Sequence, residues 1–148
     1  MEAIIFCGIQ ATGKSTFYKE KFFNTHVRIS MDLLRTRNRE SRLIDLCIET
    51  QQKLVIDNTN PAKEDRARYI PQIKRAAYRV TGYYFQSKIE DAILRNTERK
   101  GTQRIPDVGI KSTYSRLELP SYDEGFDELF YVELKDGEFI IKEWDNEI

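Results

Sequence analysis

The stretch Gly8 to Thr16, GIQATGKST, limits the folds open to this chain more than any other. It matches G-x-x-x-x-G-K-[ST], with Gly8, Gly13, Lys14 and Ser15 in the four defining places. Its setting carries equal weight. Ala3-Ile4-Ile5-Phe6-Cys7 before it is a continuous apolar run, as expected of a strand buried on both faces of a parallel sheet. Ser15 to Phe23 after it sets Phe17, Tyr18 and Phe22 at helical spacing. Strand, glycine turn and helix together make a phosphate cradle. Glycines let backbone N–H groups converge on an anion, and the helix N-terminus adds the positive end of its dipole. Gly8, Ala11, Thr12, Gly13, Lys14, Ser15 and Thr16 are therefore the expected nucleotide-contacting residues. Lys14 would reach the β- and γ-phosphates, and the Ser15 hydroxyl would ligate Mg²⁺. The expected ligand is a nucleoside triphosphate.

Strands and helices then alternate. Val27-Arg28-Ile29 reads as a second strand, 39–53 as a helix, Leu54-Val55-Ile56 as a third strand and 79–85 as a fourth with Gly82 inside it. Asn60-Pro61 reads as an N-cap and first helical residue, with Pro71 bending or ending that helix. Residues 88–98 and 107–117 are expected helices, separated by the polar, basic segment 99–106, a loop or lid. Residues 130–134 and 138–141 form a hairpin around Lys135-Asp136-Gly137. The expected fold class is α/β: a P-loop NTPase three-layer sandwich with a mainly parallel central sheet, a helical lid and a C-terminal antiparallel edge hairpin. The length, 148 residues, suits one domain over 1–148.

Bulk properties narrow the class. The chain is 40% hydrophobic and 32% charged, with no apolar run near the length of a membrane span and no leader-like segment before Ile4, so a cytoplasmic protein is expected. Cys7 and Cys47 fall in apolar patterns without metal-ligand spacing and read as buried free thiols. Net charge is zero, yet residues 60–116 hold 13 Lys/Arg against 6 Asp/Glu, while 117–148 hold 2 against 11. A basic middle suits a polyanionic substrate, and solvated helix surfaces give the same count.

Beyond the cradle, no N-K-x-D guanine signature occurs. Asp32 follows the second strand, at the sheet edge where ligands gather, and suits the proton acceptor of an attacking hydroxyl or an N-cap for the next turn. Arg35, three residues on, shares its helical face and suits a bidentate grip on a substrate phosphate, or plain solvation. Arg95 and Arg99, four apart, would lie on one helix face and close over a triphosphate, or again be surface arginines. Asp57 suits either a metal-bound water or a turn cap.

These residues resemble the P-loop polynucleotide 5′-hydroxyl kinases, which include the phage enzyme and the kinase modules of bacterial and animal end-repair proteins. The resemblance covers nearly the whole chain: GIQATGKST, D-x-x-R at Asp32 and Arg35, DNTN at Asp57–Asn60, RNTERKG at Arg95–Gly101, and a P-x-x-x-E-G-F-like segment from Pro120 to Phe126. It implies ATP and Mg²⁺ at Lys14 and Ser15. It also implies a general base in Asp32, a grip by Arg35 on the phosphate beside the terminal nucleoside, and lid arginines in Arg95 and Arg99. The implied reaction is ATP-dependent phosphorylation of a 5′-OH end of DNA or RNA, with phosphatase and ligase repair partners and no membrane. Ala11 and Thr12 depart from the Gly and Ser common in the family's loop, and the D-x-D-x-T phosphatase and K-x-D-G ligase motifs are absent from the sequence. A kinase of a small alcohol or of aminoacyl-tRNA would use the same base and lid, and a non-enzymatic nucleotide switch the same loop. Arg35 with Arg37, Arg39 and Arg42 on the acceptor side favours a nucleic acid, because phosphodiesters need cations.

Overall fold

The computed structural model describes residues 1–145; positions 146–148 of the expected 1–148 unit lie outside the described residues. The elements run β1 (Glu2–Cys7), α1 (Lys14–Lys21), β2 (Val27–Ile29), α2 (Met31–Leu34), α3 (Arg37–Glu49), β3 (Leu54–Ile56), α4 (Lys63–Ala67), α5 (Ile70–Arg75), β4 (Arg79–Phe85), α6 (Ile89–Thr97), α7 (Asp107–Ser115), β5 (Glu128–Lys135) and β6 (Glu138–Glu143). Single 3₁₀ turns occur at Gly101–Gln103 and Tyr122–Glu124.

Six strands form one sheet in the order β2-β3-β1-β4-β5-β6. The first five are parallel and only β6 runs against its neighbour. This is the expected class: mostly parallel, layered on both faces, closed by an antiparallel edge. β1 lies at the centre and alternates sides, as the pleat requires. Ala3 and Ile5 enter a core under α3 and α5, with Ile44, Cys47, Tyr69, Ile70 and Ile73. Ile4 and Phe6 enter the opposite core under α1, with Phe17, Tyr18, Phe22 and Phe85. Burial on both faces is why the strand reads as an unbroken apolar run. Gly82 in β4 is needed for closeness: a Cβ there would stand 2.6 Å from Leu129 and 2.7 Å from Phe126. At the hairpin tip Asp136 (φ 52°) and Gly137 (φ 76°) both take positive φ, the two-residue turn that the D-G signal predicts.

Three expectations are corrected. No helix begins at Pro61: Asn60 is left-handed (φ 43°), its amide donates to Phe6 O (2.8 Å), and α4 opens only at Lys63. The Asn-Pro signal is spent on a loop bound into the sheet edge. Pro71 does interrupt the helical run, as expected: α4 ends at Ala67 and Pro71 sits in the first turn of the separate helix α5, where its missing N–H costs no bond. α3 runs two residues earlier than read, capped by Thr36 Oγ1, which accepts from Arg39 N (3.2 Å), and it stops at Glu49 rather than 53. α7 stops at Ser115. Both cysteines are buried free thiols, as expected. No helix among the described residues is long and apolar enough to cross a membrane.

Candidate active site

The Gly8–Thr16 loop leaves the C-terminal end of β1 and is pinned from two neighbouring strands' loops. Gly8 N donates to Thr59 O (2.9 Å) after β3, and Ile9 N donates to Ser87 Oγ (3.1 Å) after β4. Gly13 takes φ 92°, which frees it to start α1, and Phe17 N donating to Gly13 O (2.8 Å) is the first internal helical bond described there. The N–H groups of Lys14, Ser15 and Thr16 therefore stand at the open helix end, where an anion is favoured. Ala11 is also left-handed (φ 62°), a conformation that costs a non-glycine residue of order 1 kcal/mol or more. Its methyl packs with Ile9, Ala92 and Ile110, so burial against α6 and α7 offsets the strain.

Lys14 is folded over this loop. Its ammonium donates to Ile9 O (2.6 Å), Gly8 O (3.0 Å) and Thr12 Oγ1 (3.3 Å), and Thr12 Oγ1 donates to Ile9 O. Burial pushes Lys14 down to about 8, opposed by the negative charges of Asp57 and Asp32 and assisted by the Arg99 charge. Burial also lowers Arg99, again opposed by Asp32.

Ser15 Oγ donates to Asp57 Oδ2 (3.1 Å), joining the first turn of α1 to the tip of β3. Asp57 caps no turn. One hydroxyl and one carboxylate beside a phosphate cradle fit Mg²⁺, which takes few protein oxygens and completes its shell with phosphates and water. A third side chain reaches the same place. Arg28 Nε donates to Asp57 Oδ2 (2.8 Å) and Nη2 to Ser15 Oγ (3.1 Å).

Asp32 lies in α2, a single turn whose N-cap is Ser30, so Asp32 is not a cap. It is exposed at the sheet's C-terminal edge. Arg35 does not share its helical face, contrary to expectation: α2 ends at Leu34 and Arg35 takes φ 73° as the chain turns away. The Arg35 side chain is exposed and has no hydrogen-bond partner among the described residues. Arg95 and Arg99 do not share a helix face either, because α6 ends at Thr97. Arg95 Nη1 donates to Ala11 O (3.2 Å) on the phosphate loop, and Arg99 Nη1 to Gln103 O (3.2 Å) inside the lid. Between them Asn96 is fully buried and clasps the lid: Nδ2 donates to Ile105 O (2.6 Å) and Oδ1 accepts from Ile105 N (3.1 Å).

The four residues Asp57–Asn60 each hold a different part of the site. Asp57 meets Ser15, Thr59 O meets Gly8 N, and Asn60 meets Phe6 O. Asn58 Oδ1 accepts from Met31 N (2.9 Å), fixing the turn that carries Asp32. Behind this loop Arg66, wholly buried, donates from Nη1 to Asn60 O (2.9 Å) and Pro61 O (3.0 Å). Glu124 receives its Nε (2.7 Å) and Nη2 (3.2 Å), so the Pro120–Phe126 segment is a brace for the site. Sequence reasoning missed Arg28, Asn58, Arg66 and Ser87. Arg28 alone had a local signal, a charge in the middle of an otherwise apolar strand.

No family model matches the chain. A bifunctional polynucleotide phosphatase/kinase of Schizosaccharomyces pombe is 27% identical over 97% of this chain and 37% of its own length. A protein of Acanthamoeba polyphaga mimivirus named for the same two activities is 28% identical over 86% of this chain and 32% of its own. The chain therefore spans about a third of the length of these curated relatives. Among solved structures, Kti12 of Chaetomium thermophilum in complex with ADP-AlF3 superposes with a TM-score of 0.63 at 17% identity, covering 90% of each chain. A gluconokinase of Sinorhizobium meliloti gives 0.59 at 14%, covering 89% of this chain and 82% of its own. The chain has the P-loop kinase fold, and over nearly its full length its sequence is similar to a part of the polynucleotide phosphatase/kinases.

Proposed function

We propose that the protein is a polynucleotide 5′-hydroxyl kinase, transferring the γ-phosphoryl group of ATP to the 5′-OH end of DNA or RNA in end repair. The observation that carries this reading is the phosphate loop with Lys14 folded over it (2.6 Å to Ile9 O), Ser15 joined to Asp57 (3.1 Å) and Arg95 Nη1 on Ala11 O (3.2 Å), at the sheet edge where Asp32 and Arg35 are exposed. In this reading these residues supply a base, a donor-phosphate lysine, a lid cation and an acceptor-phosphate cation. The similarity to two polynucleotide phosphatase/kinases supports a nucleic acid as the acceptor.

In this reading the loop N–H groups and Lys14 hold the donor's phosphates. Lys14 exchanges its bonds to Gly8 O and Ile9 O for phosphate oxygens. Ser15 and Asp57 would hold Mg²⁺, which supplies neutralisation of charge on the β- and γ-phosphates. Asp32 accepts the proton of the 5′-hydroxyl as its oxygen bonds to the γ-phosphorus, and the bridging β–γ oxygen leaves with ADP. Arg95 and Arg99 face the charge that develops on the transferred group. Arg35 holds the phosphate next to the terminal nucleoside. We further propose that residues 1–148 act as one kinase unit in the cytoplasm, alongside separate phosphatase and ligase activities.

The test is a panel of acceptors offered with radiolabelled ATP and Mg²⁺: 5′-OH oligonucleotides, nucleosides and sugars. Labelling of the oligonucleotide well above the others is expected. Equal labelling of a plain nucleoside or sugar would replace the acceptor class with a small alcohol.

A further inference from the structure

Four arginines, at 35, 37, 39 and 42, lie on the acceptor side, and their surroundings differ sharply. Arg39 Nη1 donates to Leu34 O (3.3 Å), closing its own turn. Arg37 is held from beneath by a buried polar network. Its Nη1 uses both hydrogens, one on Glu40 Oε1 (2.9 Å) and one on Tyr69 OH (2.9 Å). Glu40 and Tyr69 are each only 2% exposed. Tyr69 OH donates to Glu40 Oε2 (3.0 Å), which also accepts from Asn58 Nδ2 (3.0 Å). Asn58 in turn accepts from Met31 N, so the network reaches the turn that carries Asp32.

The Arg66–Glu124 pair shows what an arginine does when its task is structural. It is fully buried, lays two nitrogens on the two carboxylate oxygens, and spends its third on backbone carbonyls. Arg37 behaves otherwise. It gives the carboxylate one nitrogen, its side chain stays 50% exposed, and its Nε and Nη2 have no acceptor among the described residues. That free edge, with Nε and Nη2 donating side by side, matches two oxygens of one phosphate. Immobilising it beforehand removes much of the ordering cost that a flexible arginine meets on binding.

We infer that Arg37 is a second phosphodiester ligand for the acceptor strand, distinct from Arg35 and preorganised by Glu40 and Tyr69. Thr36 between them is extended (φ −126°, ψ 149°), so the Cα atoms of Arg35 and Arg37 stand about 7 Å apart, and in this inference the two arginines serve different phosphates. This rests on the proposed reading of the site as a polynucleotide kinase. The acceptor must then carry at least two phosphates for full recognition, and Asn58 and Tyr69 are positioning residues for that grip.

The experiment compares two 5′-OH acceptors that differ by one phosphate, a nucleoside 3′-monophosphate and a dinucleotide 3′-monophosphate. The unmodified enzyme is expected to favour the dinucleotide in kcat/KM by roughly tenfold or more, the worth of one charged hydrogen-bonded contact. Arg37→Ala should bring that ratio close to one, mainly through KM. Arg35→Ala should lower kcat/KM for both acceptors while keeping most of the ratio. With a longer 5′-OH oligonucleotide, Arg37→Ala should also reduce the slope of log affinity against log salt by about one. Because Arg37→Ala strips a partner from buried Glu40, Arg37→Lys is the companion variant: it keeps a cation on Glu40 and loses the two-pronged edge. A ratio unchanged in Arg37→Lys, or in a folded Arg37→Ala, overturns this inference and leaves the kinase reading standing. No transfer by the unmodified enzyme to either acceptor or to the oligonucleotide overturns both.

Discussion

In the proposed reading, the donor and acceptor halves of the site are held together by different means. The donor half is one contiguous stretch, Gly8 to Thr16, shaped by backbone: positive φ at Ala11 and Gly13, carbonyls that catch Lys14, and N–H groups at the open end of α1. The acceptor half has no such stretch. Its α2 is a single turn whose place depends on Asn58 Oδ1, and whose neighbour Arg37 depends on Glu40 and Tyr69, from three other segments. A backbone-made site tolerates change in the side chains around it. A site made of side chains passes a defect at one residue along to its partners.

The strongest way to break that comparison is to remove one charge from each half. Lys14→Met and Asp32→Asn should each cut phosphoryl transfer by roughly 10²–10⁴-fold, the range for a lost transition-state cation or general base. The halves should separate in ATP binding. Lys14→Met weakens it, because the lysine contacts the donor, while Asp32→Asn leaves it intact. Equilibrium binding of a non-hydrolysable ATP analogue measures the difference. Equal loss of nucleotide affinity in both would show that Asp32 belongs to the donor half after all.

The same contrast explains what the sequence made legible. Every strand, the parallel sheet and the D-G hairpin follow from local pattern: apolar runs for buried strands, period 3.6 for α1 and α6, and two turn residues that accept positive φ. The phosphate loop is equally legible because its geometry is local. Several failures have partners distant in sequence as their cause. Asn60-Pro61 carries the local mark of a helix start, and the carbonyl of Phe6, 54 residues away, takes the asparagine instead. Ser87 holds Ile9 from 78 residues away, with no motif around it. The spacing of Arg95 and Arg99 implied one helix face only while the helix was assumed to continue. Asn96 ends that assumption by turning inward to clasp Ile105. Arg28 was readable in principle, since a charge at the centre of a three-residue strand needs a partner, and Asp57 is that partner.

Arg28 sharpens the boundary between the halves. It comes from β2, the strand that leads to Asp32, yet it donates to Asp57 and Ser15 on the donor side. Its charge lies where a divalent cation bound to those oxygens would repel it. Arg28→Ala should therefore tighten Mn²⁺ binding to the ADP complex by about tenfold, a modest share of the repulsion between charges a few ångströms apart. It should also weaken metal-free ADP binding, since Asp57 would face the phosphates uncompensated. Paramagnetic resonance of Mn²⁺ and calorimetry without metal read the two arms. Weaker Mn²⁺ binding in the variant would instead make Arg28 a support that orients Asp57 for the cation.

A further expected effect is a pH dependence centred on the donor-half lysine. Lys14 sits at about 8 when folded, against an ordinary lysine value of 10.5, because burial disfavours its charge. Between those two values the unfolded chain binds more protons than the folded one, so the Lys14 contribution to stability rises with pH across that window. Below about pH 8 the buried ammonium is a cost that the nucleotide-free protein carries. Nucleotide affinity runs the other way. Phosphates need the charged form, so affinity falls above about pH 8, by at most tenfold per pH unit for a single proton. Relative to Lys14→Met, the unmodified protein should gain thermal stability from pH 8 to 10 without ligand while losing ATP affinity over the same interval. The variant fixes the background from the buried tyrosines, and a Cys7→Ala background in both proteins removes the Cys7 thiol, whose titration Lys14 itself influences. Calorimetry near pH 8 in buffers of different ionisation enthalpy should also show proton uptake on ATP binding, present in the unmodified protein and lost in the variant. Matching pH profiles for the two proteins would mean that Lys14 keeps its charge through this range. The bonds to Gly8 O and Ile9 O would then be strong enough to outweigh its burial.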